Sequence, residues 1–578
     1  MDSHLLKTKS IERIVGDVEA GHKALRRTLS AFDLTLLGIG AIIGTGIFVL
    51  TGTAAANQAG PAIVLSYLAA GLACGFAALC YAEFASMIPI AGSAYTYAYA
   101  TLGEVVAWMI GWDLILEYAV GSMTVAVGWS GYFQRILLGF GVELPLWMTA
   151  SPMAAEGTVI NLPAALIVLF ITSLLVIGVR ESARFNAVMV VIKLAAVVFF
   201  MVAGFTFVKP DNWSPFAPYG WSGIMAAAAV VFFAYIGFDA VSTTAEEANN
   251  PQRDLPIGII ASLIICTVLY LMVAGILSGI VPVTDYRSVE SALPGMPIAE
   301  PTAITQFVNA PVGYALAIIG QDWAAGLVSA GAVAGITSVL LVMLMSQPRI
   351  FFAMSRDRLL PPVVSKVHPR FKTPYVTTII TGVIVAVCAA LFPIQLLGEM
   401  TSIGTLFAFV VVCCAVIVLR VQRPEARRPF RVPGGFVIPV LGVLSCLYLM
   451  LSLPVATWIR FLGWLDIGIL IYWFYGRTHS PLADQAELAA RGTAARVGNF
   501  VTMVGAVVTA NGVFMTILGF MTELGITTEE LAKWHEIGIT PHQSDTVGLL
   551  VLGSGVVLFM LGRVIARRNR PSVEGVRR

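Results

Sequence analysis

The sequence is poor in charged residues. Only 12% of its 578 residues are Asp, Glu, Lys or Arg, whereas 58% are hydrophobic and the mean hydropathy is +0.86. Because soluble domains carry about 25% charged residues, this composition predicts a protein built for lipid. The net charge of +2 says little by itself. Basic clusters such as "RPEARRPFR" are interpreted as residues at a membrane face, and no nucleic-acid partner is expected.

Motifs that carry chemistry are also scarce. The six histidines lie outside the long apolar runs, and the seven cysteines lie within them without zinc or disulfide spacing. Neither a cofactor nor an enzyme is therefore expected. A polytopic membrane enzyme or a sensor remains the alternative class. An enzyme should group His, Ser or Cys with acids at one face, and a sensor should carry a soluble output domain.

Long apolar runs are abundant. A membrane span needs about 20 apolar residues, and the N-terminus lacks the apolar core of a cleavable signal, so the first span should direct insertion. We predict an all-α polytopic membrane protein with fourteen spans, at residues 32–52, 61–88, 104–132, 160–179, 184–207, 221–245, 256–281, 324–348, 374–392, 400–420, 436–453, 457–476, 497–520 and 546–566.

The basic residues predict the orientation of these spans. With a cytoplasmic N-terminus, 29 Lys and Arg residues fall on the cytoplasmic side and five fall outside. Positive residues favour the cytoplasmic side, so both termini should face the cytoplasm of a multi-pass protein in the cytoplasmic (inner) membrane. The remaining one, Lys193, lies nine residues into span 5, roughly 14 Å deep. A charge at that depth indicates a functional role. A lysine near a helix end can extend its ammonium to the membrane surface, but one in the middle of a span cannot.

Two spans carry helix-breaking residues in their middle. Span 1 reads "GIGAIIGTGIFVLTG" from Gly38 to Gly52, and span 6 contains "IGFD", Ile236 to Asp239. Spans 1 and 6 run in opposite directions, which is typical of an inverted repeat, spans 1–5 against 6–10, that binds its ligand at the midplane between discontinuous helices. The alternative is close helix packing through the G-x-x-x-G pair in "GAIIG".

An unwound helix offers ligand-binding groups. Free N–H groups at the start of a second half-helix attract an anion, and free carbonyls at the end of the first attract a cation. Irregular backbone is tolerated at that depth only where it lines a cavity. A zwitterion such as an α-amino acid suits this pair of breaks.

Span 3 carries two acids on one helix face, Asp113 and Glu117. Glu117 lies level with both breaks, so it is predicted to face the cavity and pair with a basic substrate side chain, water or Lys193. The alternative is a structural acid. Other charged residues toward the cytoplasmic side are expected to form closing ion pairs: Glu83, Glu246, Glu247, Arg253 and Arg349.

Four segments resemble a known family: "GIGAIIGTGIFVLTG", "YAEFASMIPIAGSAYTYAYATLGE", "FFAYIGFDAVSTTAEEANNPQRDLPIGI" and "PRIFFAMSRDRLLPP". They are similar to the cationic amino acid transporter family of the amino acid–polyamine–organocation superfamily, over roughly residues 28–476. The resemblance implies fourteen spans, a five-plus-five repeat and alternating access. It further implies proton-coupled uptake of L-amino acids, with exchange as the alternative.

The resemblance also implies a division of the chain. The expected parts are a cytoplasmic tail (1–30), the first repeat (31–207), the inverted second repeat (208–420), spans 11 and 12 (421–476), spans 13 and 14 (477–566) and a second tail (567–578).

Site residues follow from the same resemblance, position by position. Those expected to hold the substrate carboxylate are Ile43, Gly44, Thr45 and Gly46. Those expected to meet its amino group or to gate the site are Phe233, Ile236 and Asp239. Lys193 matches a span 5 lysine that is thought to replace the sodium ion of sodium-coupled relatives, and Thr337 and Ser338 of span 8 should offer it hydroxyls. The proton is the implied coupling ion, and no metal site is expected.

Overall fold

The computed structural model describes residues 8, 29–89, 93–154, 157–177, 182–282, 307–366, 368–369 and 373–482, with isolated positions at 501, 504, 505, 508, 509 and 560. The predicted spans 13 and 14 and most of both tails lie outside the described residues. So do the side chains of Glu246 and Glu247.

The described chain is helical. Apart from helices and turns it holds one isolated bridge, between Leu29 and Ala248. Each of the first twelve predicted spans coincides with a helix. Span 1 begins as Ala31–Ile42 and resumes at 46–59. The others are Ile63–Met87, Glu104–Gly139, Leu162–Ile177, Ser182–Phe205, Gly220–Val231, Pro251–Ile280, Asp322–Arg356, Tyr375–Leu391, Ile394–Gln422, Val437–Leu451 and Val455–Ile471.

These helices have the composition of membrane spans. Eight helical stretches in the described chain are long and apolar enough to cross a membrane, and four shorter apolar helices accompany them. Because a hydrocarbon layer is about 30 Å thick, this set of helices identifies a multi-pass membrane protein.

Besides helices of three or four residues and the end of span 1 at residues 55–59, two described helices lie outside the predicted spans, Ser93–Thr101 and Pro311–Ile318. Ser93–Thr101 is only nine residues long and buried at every position, although its tyrosines and threonines give it little apolar character. A search for runs of about 20 apolar residues misses such elements, because tertiary burial rather than lipid stabilises them.

Spans 1–11 belong to one compact unit, residues 8–356 and 362–453, and span 12 belongs to a second. Within the first unit, span 3 packs against spans 8 and 10, and span 7 packs against spans 1 and 2. Glycines allow the closest approaches. A Cβ on Gly335 of span 8 would lie 2.7 Å from the Cβ of Lys193, and one on Gly331 would lie 2.4 Å from that of Ala196. Small residues thus bring spans 5 and 8 together.

A buried ion cluster joins span 2 to span 10 and to the segment that follows it. Glu83 accepts hydrogen bonds from Arg420 Nε at 3.1 Å and from Val432 N–H at 2.8 Å. Arg428 Nε lies 3.3 Å from the Glu83 carboxylate. The expected pairing of Glu83 with Arg253 or Arg349 is therefore corrected. Because Arg420 follows the apolar run of span 10, the sequence pattern gave no sign that it would fold back to span 2.

We expect Glu83→Gln to lower the thermal unfolding midpoint of the detergent-solubilised protein. Neutralising the carboxylate leaves Arg420 and Arg428 buried without a counter-charge, a change that costs about 3 kcal/mol in other buried pairs. Glu425→Gln, which removes an exposed acid from the same loop, is the matched control and should leave the midpoint unchanged. Equal midpoints for wild type and Glu83→Gln would show that the cluster does not stabilise the fold.

Candidate functional site

The helices of spans 1 and 6 are interrupted by extended backbone. Span 1 leaves the helical conformation at Ile43, with φ −73° and ψ 105°. Span 6 does so at Ile236, with φ −61° and ψ 135°. Gly237 follows with φ +120°, a conformation that favours glycine. The discontinuities that the glycine pattern predicted are present at both places.

The two breaks pack directly against each other. A Cβ on Gly46 would lie 2.3 Å from the Cα of Ala234, and one on Gly237 would lie 2.9 Å from the backbone of Ala41. Both glycines therefore let one interrupted backbone contact the other. The Cβ position of Gly46 points at span 6, so a larger residue there would separate the breaks.

The carbonyls at the end of the first half of span 1 are bound by Lys193. Its ammonium donates to the oxygens of Gly40 and Ile43, the latter at 2.8 Å, and lies 3.4 Å from Ser338 Oγ. The lysine is fully buried. Spans 1, 5 and 8 thus meet at one cation, and the helix-end carbonyls that such a break exposes are satisfied by the protein itself.

Two tyrosines bind further carbonyls of the breaks. The hydroxyl of Tyr270, on span 7, lies 3.0 Å from the oxygen of Ile42 and 2.8 Å from that of Ala234, so it bridges both breaks. The Tyr67 hydroxyl donates to the Gly46 oxygen at 3.0 Å. Sequence reasoning missed both residues. For Tyr270 the available signal was that it is the one aromatic residue of span 7; Tyr67 is one of several aromatic residues in span 2, so it gave no such signal.

The backbone N–H groups of the two breaks differ in their hydrogen-bond partners. In span 6 the Gly237 N–H donates to Asp239 Oδ1 at 3.2 Å, so this carboxylate caps its own half-helix. In the described part of the chain, no protein acceptor faces the backbone N–H groups of Gly44, Thr45 and Gly46. Buried N–H groups require a partner. In the described chain, the N–H groups of the span 1 break are therefore left without a protein partner, unlike the N–H of Gly237.

Three buried carboxyls lie near the break in span 6. Glu117 lies beside Asp239 and the hydroxyl of Thr405, and Asp113 lies one helical turn away, against Gly404 of span 10. The predicted contact of Glu117 with Lys193 is not among the contacts of that lysine. Within the described residues, no group of three or more His, Cys, Asp or Glu is arranged to hold a metal ion.

The remaining predicted residues take individual places. Phe233 and Ile236 are both buried at the break in span 6. Thr337 was expected to contact Lys193, but its hydroxyl binds other groups. Its hydroxyl donates to the Val333 oxygen at 2.6 Å and accepts from Trp129 Nε1 at 2.9 Å. Of the two hydroxyls predicted to contact Lys193, only that of Ser338 lies within hydrogen-bonding distance of it.

Comparison with known proteins agrees with this architecture. The family model for amino acid permeases matches residues 29–475. The chain is 51% identical over 484 residues to the branched-chain amino acid permease BcaP of Bacillus subtilis, covering 83% of this chain and 100% of that protein. It is 49% identical over 480 residues to the methylthioribose transporter of the same organism, covering 83% and 99%.

A more distant relative comes from a plant. The vacuolar cationic amino acid transporter 4 of Arabidopsis thaliana is 32% identical over 598 residues, covering 83% of this chain and 96% of that protein. Each of the three relatives is named as a transporter or permease, and the match covers nearly the whole length of each. None of them is named as an enzyme. The chain therefore belongs to the amino acid permease family.

Proposed function

We propose that this protein carries L-α-amino acids across the cytoplasmic membrane by alternating access. One observation carries the proposal: at the break in span 1 the carbonyls are bound by Lys193 and Tyr270, while the N–H groups of residues 44–46 face no protein acceptor. Donors of this kind, held at the start of a half-helix, favour a carboxylate. The substrate amino group then lies toward span 6, near Phe233, Ile236 and Asp239.

The proposal includes the topology inferred from the sequence. Spans 1–5 and 6–10 form the inverted repeat, both termini face the cytoplasm, and the site lies near the membrane midplane. The matching interruptions at Ile43 and Ile236 support the repeat. The basic residues support the orientation.

A second substrate class follows from one relative. Methylthioribose is a neutral sugar without a carboxylate, and the chain is 49% identical to a transporter named for it. A neutral sugar leaves the N–H groups of residues 44–46 without an anionic partner, which favours the amino acid. The two classes differ in one measurable group, the carboxylate.

We further propose that transport is coupled to protons through Lys193. Its ammonium occupies a carbonyl and hydroxyl site between spans 1, 5 and 8, where a sodium-coupled relative is expected to hold sodium. A proton on Lys193 stabilises the arrangement in which these three spans are joined. Loss of that proton favours the separated arrangement, and a proton gradient can then bias a two-state carrier.

Binding of ligand pairs that differ only in the carboxylate tests the substrate class. We expect L-leucine to raise the thermal midpoint of the purified protein, because its carboxylate meets the N–H groups of residues 44–46. Leucinamide and 3-methylbutylamine should bind at least about tenfold more weakly, since a hydrogen-bonded charge is lost. Methylthioribose should not shift the midpoint. Equal binding of leucine and leucinamide, or a shift by methylthioribose alone, would refute the amino acid proposal.

Proton coupling is tested in proteoliposomes. We expect Lys193→Met to lose accumulation driven by a pH gradient, because the variant has no group that binds a proton at the junction of spans 1, 5 and 8. Lys209→Met, an exposed lysine just beyond span 5, is the matched control and should accumulate substrate like wild type. Retained ligand-induced stabilisation of Lys193→Met would show that the variant is folded.

The wild-type protein separates the coupling modes. Uptake that follows a sodium gradient and ignores a pH gradient would contradict the role of Lys193. Uptake that requires only amino acid inside the vesicle would identify an exchanger.

The role of Glu117 is tested by substrate ranking. If its carboxyl meets the substrate side chain, Glu117→Gln should change the ratio of arginine to leucine affinity by about tenfold, since an ionic hydrogen bond is removed for arginine alone. Asp113→Asn, which alters the acid packed against span 10, should leave the ratio unchanged. A uniform loss for both amino acids in Glu117→Gln would identify a structural acid.

A further inference from the structure

A groove of about 640 Å³ opens between the first turns of span 7 and the segment that joins spans 10 and 11. One wall is apolar and comes from span 7, through Ile257, Ile260 and Ile264. The opposite wall is formed by Pro429 and Phe430. The groove lies at one end of span 7, away from the breaks in spans 1 and 6, so it is separate from the site described above.

The apolar wall continues along the outside of span 7. Ile257, Ile264, Ile265, Val268 and Met272 are each between 40% and 58% exposed and recur at helical spacing. In a multi-pass membrane protein such an exposed apolar stripe faces hydrocarbon. The groove is therefore continuous with the lipid-facing surface, and an acyl chain can enter it without leaving the membrane.

The polar end of the groove is cationic. Arg253 lines it and is exposed. No ion pair or hydrogen bond of its side chain occurs in the described part of the chain. The adjacent acid, Asp254, is buried and accepts a hydrogen bond from the Asn250 N–H at 3.1 Å, so it binds its own backbone. Exposed Arg431 follows directly after the Phe430 wall. The charge at this end is complementary to an anion.

The second wall is held in place by the ion cluster of span 2. The Phe430 N–H donates to Ser86 Oγ at 3.2 Å, and the Val432 N–H donates to the Glu83 carboxylate at 2.8 Å. Arg428 joins the same carboxylate. The segment between spans 10 and 11 is thus pinned to span 2, and the groove has two fixed walls.

We propose that this groove binds one anionic glycerophospholipid of the cytoplasmic leaflet, with its phosphate at Arg253 and one acyl chain between span 7 and Phe430. The assignment to that leaflet rests on the orientation given under the proposed function. The ligand class follows from chemistry: an anionic headgroup meets the arginine at the membrane interface, and an alkyl chain fills a wall of isoleucines that leads into the hydrocarbon layer.

The probe is dioleoyl phosphatidylglycerol added to the delipidated full-length protein in detergent. Retained lipid is counted by native mass spectrometry, and the thermal midpoint is measured in parallel. We expect phosphatidylglycerol to be retained and to raise the midpoint. Dioleoyl phosphatidylcholine, which has the same chains but a choline cation that cancels the charge of its phosphate, should do neither. Glycerol phosphate, which has no chains, should also do neither. Stabilisation by glycerol phosphate or inorganic phosphate equal to that by phosphatidylglycerol would show a free-anion site and overturn the proposal.

Two pairs of variants locate the lipid. Arg253→Gln removes the headgroup contact and should weaken retention roughly fivefold. Arg427→Gln, which removes an exposed arginine of the segment between spans 10 and 11 that does not line the groove, should not. Ala261→Trp fills the groove and should abolish retention, whereas Val268→Trp, two turns farther along the same face, should not. Equal effects of the two arginine variants would indicate a diffuse charge effect, and equal effects of the two tryptophan variants would indicate general lipid contact. Either result would overturn the proposal.

Leucine-induced stabilisation separates this inference from the proposed function. Each variant should keep the wild-type leucine shift, which also shows that it is folded. Loss of lipid selectivity with the leucine shift intact would refute the groove alone. Lipid retention by a protein that ignores every amino acid would refute the transport proposal and leave the lipid site standing.

Discussion

A helix that stops in the middle of a membrane must find partners for the backbone groups that it frees, and this constraint governs the first unit of the structure. Lipid offers no hydrogen bonds, so unsatisfied N–H and C=O groups are costly there. The carbonyls freed at the end of the first half of span 1 are bound by Lys193 from span 5 and Tyr270 from span 7. One local requirement thus brings together spans that are distant in the sequence.

The partners of the two breaks are unequal. Span 6 supplies its own carboxylate, because Asp239 accepts the Gly237 N–H. The N–H groups of residues 44–46 face no comparable acceptor in the described chain. The asymmetry distinguishes a capped break from an uncapped one: a group that already has a protein partner is unavailable to a ligand.

Glycine has two uses in this arrangement, and only one of them is conformational. Gly237 needs its positive φ to turn the chain between the halves of span 6. Gly46 and Gly335 instead let Ala234 and Lys193 approach closely. The break in span 1 and close packing at glycine thus occur together, because the broken segments must pack to satisfy one another.

Hydropathy and glycine spacing were sufficient to predict a helix at each of the first twelve spans, both interruptions and the buried lysine. These are properties of single segments: an apolar run of the right length, a residue that disfavours helix, a charge at depth. The partners of those residues were not predictable. Nothing in the sequence distinguishes Thr337, which accepts from Trp129, from Ser338, which reaches Lys193. Likewise, only the folded chain brings Arg420 to Glu83 and Tyr270 to both breaks, because those contacts depend on how the helices rotate and pack against one another.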